Sequence, residues 1–374
     1  MSSPPRPFSV LLAGGGSAGH VSPLLALADA LRRREPAVRI TALGTESGLE
    51  ARLVPARGYD LSLVPRVAMP RRPEIALLRL PRALRAAVAA AGRAIDEAQA
   101  EVVVGFGGYV SAPAYLAARR RRLPLVIHEQ NARAGLANRL GARLTTFVGT
   151  TFPTTDLAHA TVVGMPLRRE ISRLDRASRR EEAMTAFGLD PRWPTVLVTG
   201  GSLGAQRLNT AFAARTADLS AAGLQVLHLT GAGKGFVPGV PDVGAPYVTV
   251  PYADRMELAY SAADLVVCRA GANTVCELTA VGLPAVYVPL PVGNGEQRSN
   301  AAAVVAAGGG LLVDDASLTP RWITEELIAL ASDRDRLAVM GLAAASVGQP
   351  DADERLADLV DRAFAEQSAG WVAR

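Results

Sequence analysis

His20 stands directly after a glycine loop, Gly14-Gly15-Gly16-Ser17-Ala18-Gly19. An imidazole titrates near ~6.5 and can take or give a proton at neutral pH, while a turn of backbone N–H groups leading into a helix offers a site to an anion. Two more clusters in the first half follow apolar runs. Gly105-Phe106-Gly107-Gly108-Tyr109 comes after 102–105, and His128-Glu129-Gln130-Asn131 comes after Leu125-Val126-Ile127. Tyr109, Glu129 and Asn131 can therefore converge with Ser17 and His20. In the second half the scheme returns as Gly200-Gly201-Ser202-Leu203-Gly204, followed later by Cys268-Arg269-Ala270-Gly271-Ala272-Asn273-Thr274. That turn starts a helix at about Asn273, with N–H groups suited to phosphate. Glu277, one turn into the helix, can accept both hydroxyls of a ribose or can simply complement the helix dipole. The stretch from Gly293 through Gln297 to Asn300 opens another helix with neutral amides, which pair donors and acceptors as sugar hydroxyls require.

Such side chains need a frame, and the pattern supplies one. Short apolar runs at 38–43, 102–105, 125–128 and 161–163, then at 196–199, 225–229, 247–250, 265–267 and 285–288, alternate with helical stretches. Runs this short and continuously apolar read as parallel strands covered on both faces, which is the α/β class. In such sheets ligands bind beyond the C-terminal ends of the strands, where all the clusters above fall. Strand, glycine turn and helix occur twice, half a chain apart, so two similar domains are expected: 1–166 and 167–350. A C-terminal amphipathic helix over 351–370, with Leu356, Leu359, Val360 and Phe364 on one face, is expected to pack back on the first domain.

Composition narrows the choices. The chain has 374 residues, 49% hydrophobic and 20% charged, as in a packed protein with room for two cores. Aromatics make up only 5%, so the stacking platforms of nucleic-acid binders are not expected. Lys234 is the only lysine in a chain of net charge +5. The arginines cluster in the first half, at 32–34, 71–72, 79/82/85 and 119–122, and suit an anionic surface. Cys268 and Cys276 offer no disulfide framework or metal spacing and fit a reducing compartment. Glycines and prolines break the longest uncharged runs, so no membrane span is expected.

Taken alone, Gly14-x-Gly16-x-x-Gly19 with Glu46 behind it also fits an NAD-dependent oxidoreductase. His20 at the loop and the second glycine loop count against that alternative.

Segments 13–23, 105–113, 128–140, 164–168, 200–209 and 252–301 together resemble the MurG family of glycosyltransferases, in consistent order over most of the chain. The resemblance implies a GT-B fold, two Rossmann-like domains facing a central cleft. It also implies inverting transfer of N-acetylglucosamine (GlcNAc) from UDP-GlcNAc to the 4-hydroxyl of N-acetylmuramic acid in lipid I, forming lipid II, with no cofactor and no metal. Residue by residue it implies Ser17, Ala18, Gly19 and Asn131 near the donor's sugar and diphosphate, Arg168 and Ser202 on phosphate, and Ala272, Asn273 and Thr274 at the diphosphate turn. Glu277 would hold the ribose, and Gln297 and Asn300 the GlcNAc hydroxyls. His20, Tyr109 and Glu129 would stand on the acceptor side, with His20 as base and Glu129 as second choice. Glu296 and Ala253 depart from some members and put only fine contacts in question. A lipid acceptor implies a peripheral protein on the cytoplasmic face of the cell membrane. Segment 75–93, with Leu77, Leu80, Leu84 and Val88 beside Arg79, Arg82, Arg85 and Arg93, is expected as the interfacial element, interrupted by Pro81. Asp351-Ala352-Asp353 looks like a metal-binding triplet but lies where a helix cap is expected.

Overall fold

The structure is a computed structural model that describes residues 8–66, 76–201, 205–241, 244–292 and 294–372. Arg71, Arg72, Ser202, Gly204 and Gly293, and the side chains of Leu77, Arg79 and Leu80, lie outside the described residues. The chain divides into two compact units, 1–168 with 351–374, and 169–350.

The first unit is built on a sheet of β1 (Ser9–Gly14), β2 (Arg39–Gly44), β3 (Asp60–Leu63), β4 (Val102–Gly107), β5 (Leu125–Glu129), β6 (Phe147–Thr150) and β7 (Ala160–Val162). Every pairing is parallel and the order is β3-β2-β1-β4-β5-β6-β7. Successive strand residues point to opposite faces, which explains the unbroken apolar run of β1. Val10 and Leu12 join one core with Leu24, Leu27 and Leu31 of the helix Ala18–Arg34. Leu11 and Ala13 join another with Val88, Ala91 and Tyr115. The helix Ala18–Arg34 starts six residues before Leu24, where the helical pattern of the sequence begins, because its first turn carries the loop residues themselves.

The C-terminal helix Ala352–Val372 packs Leu356 and Val360 into the same core as Val10. Ion pairs fasten it: Arg33 to Asp353 at 2.5 Å, Arg34 to Glu354 at 2.8 Å and Arg34 to Asp361 at 3.1 Å. Asp353 of the metal-like triplet is thus committed to Arg33.

The second unit carries β8 (Thr195–Thr199), β9 (Gln225–Leu229), β10 (Tyr247–Val250), β11 (Leu265–Cys268), β12 (Ala285–Tyr287) and β13 (Gly310–Leu312). Its order is β10-β9-β8-β11-β12-β13, again all parallel. Both units follow the strand order of dinucleotide-binding folds, and the first adds a seventh strand. In each, the order reverses beside the strand that carries the first glycine loop, between β1 and β4 and between β8 and β11. Side chains can reach a ligand there without crossing a connection.

Two elements differ from expectation. Pro81 lies inside one helix, Ala76–Ala98, rather than breaking it. The stretch 206–218, which reads in the sequence as one helix after the second glycine loop, forms two, Gln206–Ala213 and Thr216–Ala221. Among the described residues no helix is long and apolar enough to cross a membrane.

Candidate active site

In the first unit three strand ends meet. A Cβ on Gly108 would come within 2.6 Å of the Gly15 carbonyl oxygen, so the loops after β1 and β4 touch backbone to backbone. The Ser111 hydroxyl, buried, lies 2.9 Å from the Ala13 carbonyl oxygen and 2.6 Å from that of Gly107, tying the same two strand ends.

His20 is half-buried on the first turn after the loop. Its Nδ1 lies 3.1 Å from Ser17 Oγ, and its Nε2 faces Gly107, where a Cβ would stand 3.2 Å away. Desolvation pushes the imidazole below its usual pKa, while the Glu129 carboxylate, the Gly15 carbonyl and the Glu50 carboxylate pull the other way. Ala18 is half-buried, and Ser17 and Gly19 are exposed at the start of the helix.

Glu129 ends β5 and is 2% exposed. One of its oxygens accepts the Asn131 N–H at 2.9 Å; the other accepts the Gly135 N–H at 3.0 Å and Asn138 Nδ2 at 2.9 Å. Asn138 in turn accepts from the Tyr115 hydroxyl at 2.7 Å and would be touched by a Gly107 Cβ at 3.3 Å. Glu129 therefore sets the backbone of 131–135. Asn131 is half-buried, and Tyr109 is 39% exposed with the Arg66 guanidinium over its ring at 4.7 Å. His128 is buried, its Nδ1 accepting from Gln130 Nε2 at 3.0 Å and its Nε2 donating to the Gly164 carbonyl oxygen at 2.8 Å; burial pushes it down to about 4. Arg168 is half-buried at the end of this unit's first segment.

In the second unit the loop after β8 shows Gly201 at φ +81°, its N–H 3.3 Å from Thr199 Oγ1. Positive φ is open to glycine at little cost, which is why the turn is written in glycine. At the end of β11, Arg269 donates to the Val288 carbonyl at 3.1 Å and pairs with Asp315 at 2.6 Å. The hydrogen bond ties the Arg269–Gly271 turn to the end of β12, and the ion pair ties it to the segment after β13. Ala272, buried, and Asn273 and Thr274, half-buried, form the first turn of the helix Ala272–Ala280. Glu277 on its second turn accepts from the buried Tyr260 hydroxyl at 2.7 Å. Gln297 accepts the Leu290 N–H at 2.9 Å, fixing the loop after β12. Asn300 is 1% exposed and donates to the Ala270 carbonyl at 3.3 Å.

The structure thus gathers Ser17, His20, Tyr109, Glu129 and Asn131 at the strand ends of one unit, and Ala272, Asn273, Thr274, Glu277, Gln297 and Asn300 at those of the other. Residues not singled out in the sequence hold them: Glu50, Ser111 and Asn138 in the first unit, Tyr260, Arg269 and Asp315 in the second. A groove of about 830 Å³ in the second unit opens at the other end of its sheet, by Pro194, Asp264 and Pro284, and no candidate residue lines it. Among the described residues no group of three or more His, Cys, Asp or Glu could hold a metal ion. Of the expected interfacial stripe, Leu84 packs against the first unit's core and Val88 is buried in it, so those two face inward; Arg82, Arg85 and Arg93 are exposed.

Residues 10–150 match the glycosyltransferase family 28 N-terminal domain, and residues 195–356 match the glycosyltransferase family 28 C-terminal domain. A protein of Nocardioides sp. named UDP-N-acetylglucosamine--N-acetylmuramyl-(pentapeptide) pyrophosphoryl-undecaprenol N-acetylglucosamine transferase is 59% identical over 353 residues, 94% of this chain and 97% of that one. The protein of the same name from Streptomyces avermitilis is 55% identical over 361 residues, 95% of this chain and 98% of that one. The crystal structure of Acinetobacter baumannii MurG superposes with a TM-score of 0.75 at 28% identity, covering 96% of this chain and all of that one. These relatives lend nothing to the oxidoreductase alternative, and the two-domain GT-B architecture stands. With identity this high over nearly the full length of both relatives, the chain belongs to the MurG family of glycosyltransferases.

Proposed function

We propose that this chain transfers GlcNAc from UDP-GlcNAc to the 4-hydroxyl of N-acetylmuramic acid in the pyrophosphoryl-undecaprenol acceptor, lipid I, giving lipid II. The observation that carries the chemistry is His20, a titratable imidazole anchored by Ser17 between two touching glycine loops. Its desolvation favours the neutral ring, which can accept a proton near pH 7, and the carboxylates of Glu129 and Glu50 stabilise the imidazolium that results.

The acceptor oxygen attacks the anomeric carbon on the face opposite UDP. The new C–O bond forms as the bond to the β-phosphate breaks, its electron pair leaves with UDP, and the hydroxyl proton passes to His20. The α-linked donor gives a β-linked product. Glu129, with both oxygens already accepting, acts by holding the acceptor loop with Asn131. Tyr109, exposed beside the loop, lines the acceptor side, and Ser17, Ala18, Gly19 and Asn131 approach the donor's sugar and diphosphate.

In the second unit Glu277, oriented by Tyr260, takes the ribose. The N-terminal turn Ala272-Asn273-Thr274, with Ser202 and Arg168, stabilises the charge that develops on UDP, in place of a metal. Gln297 meets the sugar hydroxyls, and Asn300 holds the Ala270 turn beneath them. The protein works peripherally at the cytoplasmic face of the membrane, drawn to anionic headgroups by exposed arginines such as Arg82, Arg85, Arg93 and Arg119.

UDP release, coupled to a spectrophotometric readout, tests the reading. Release is expected only when UDP-GlcNAc and a lipid I analogue are both present, with a β-linked disaccharide formed in equal amount. Release at the same rate without the acceptor, or none with both substrates, would overturn it.

A further inference from the structure

Glu50 is fully buried at the start of the helix Glu50–Ala56, and its partners form a deliberate cage. One oxygen accepts the Gly16 N–H at 2.9 Å; the other accepts the Thr45 N–H at 2.8 Å and the Thr45 hydroxyl at 3.0 Å. Three glycines from three segments leave the space for it. A Cβ on Gly15, Gly44 or Gly48 would fall 2.4, 2.3 or 2.1 Å from an atom of its side chain. Among the described residues no arginine, lysine or histidine forms an ion pair with it, so the carboxylate is held by neutral donors alone. Burying a charge is costly unless hydrogen bonds compensate, and here one of the three compensating bonds comes from the loop that carries His20 and two from Thr45 at the end of β2.

We propose that Glu50 is a positioning residue for the transfer reaction: its carboxylate fixes the Gly14–Gly16 turn, through it the His20 ring, and places a negative charge behind that ring. The proposal deepens the proposed function and rests on His20 as the base. The charged groups that face the imidazole are the carboxylates of Glu129 and Glu50, both of which favour its protonated form. The other neighbours, Ser17, the Gly107 turn and the Asn138 amide, are neutral.

The test is the pH dependence of kcat/KM for acceptor-dependent UDP release, measured on the full chain. Glu50→Gln removes the charge and puts an N–H donor toward donors. It should lower kcat roughly 10- to 100-fold with donor KM within about twofold, and move the acidic limb to lower pH by about half a unit. Glu50→Asp withdraws the carboxylate but keeps its charge. It should lose rate with the limb near its original place, and it answers the question if the glutamine variant does not fold. Wild-type rates in either variant, or a slow glutamine variant with an unmoved limb, would overturn the proposal. His20→Asn separates the two readings: if the acidic limb persists unchanged in that variant, the base is not His20, whatever Glu50 does.

Discussion

The two units share a strand order through six strands and both place a glycine loop at the point where that order reverses, yet they finish the loop differently. In the first unit the Gly16 N–H is given to an internal carboxylate, Glu50, and the helix begins at once, bringing His20 onto its first turn. In the second the Gly201 N–H is given to the Thr199 hydroxyl, and the helix begins later, at Gln206. There the polar groups gather instead beyond β11, β12 and β13, as Arg269 with Asp315, Glu277 with Tyr260, and Gln297 with Leu290. One topology sets where a ligand can lie. The side chains packed behind each loop decide whether it presents a base or a cradle for a nucleotide.

Three measurements press on that division of labour. The largest effect is expected from His20→Ala, which should lower kcat by roughly 10²- to 10⁴-fold while UDP binding by calorimetry stays unchanged. A variant that keeps its rate, or loses UDP affinity in step with it, would erase the distinction between the units. Next is Glu277→Ala, which should raise the donor KM roughly 10- to 100-fold and leave kcat at saturating donor within about threefold, with Tyr260→Phe a weaker copy of the same effect. A fall in kcat alone would move Glu277 from nucleotide binding to the chemical step.

The smallest effect concerns what the units have in common. Each buries one neutral histidine, His128 pushed down to about 4 and His228 to about 3, both by desolvation. The unfolded chain binds a proton on each below ~6.5, and the folded chain refuses it until those lower values are reached. Stability is therefore fully present above pH 6.5 and falls with acid, toward pH 4 for His128 and pH 3 for His228, by up to ~1.4 kcal/mol per pH unit for each. Thermal melts at pH 7, 5.5 and 4.5 should show His128→Gln and His228→Gln each with a shallower slope than the wild type. Parallel slopes would mean these histidines are not the groups that resist protonation.

Much of the frame could be read before the coordinates. The runs at 225–229 and 247–250 are β9 and β10 to the residue, and the alternation of all such runs with helical stretches gave the α/β class. The strands not read, β3, β6 and β13, are the ones with weak local signatures. Asp60–Leu63 has little of its surface buried, and Gly310–Leu312 is three residues long with a glycine in it. Pro81 was read as a break, but the helix Ala76–Ala98 accommodates it. At the site, the residues beside glycine turns were legible because such turns announce themselves. Glu50 was not, since a lone acid on a short helix carries no periodic signal, and only Gly15, Gly44 and Gly48 closing around it reveal its place.

The amino-acid order by itself determined the elements, the repeat of strand, glycine turn and helix, and the family, because these depend on neighbours a few residues apart and on motifs in fixed order. The tertiary structure alone decided which groups are held and by what: Glu50 on Gly16 across 34 residues, Ser111 on Ala13 across 98, Arg269 on the far loop of β12. Those bonds join strand ends that the sheet makes adjacent. Whether a carboxylate is a base or a brace depends on the donors it finds there.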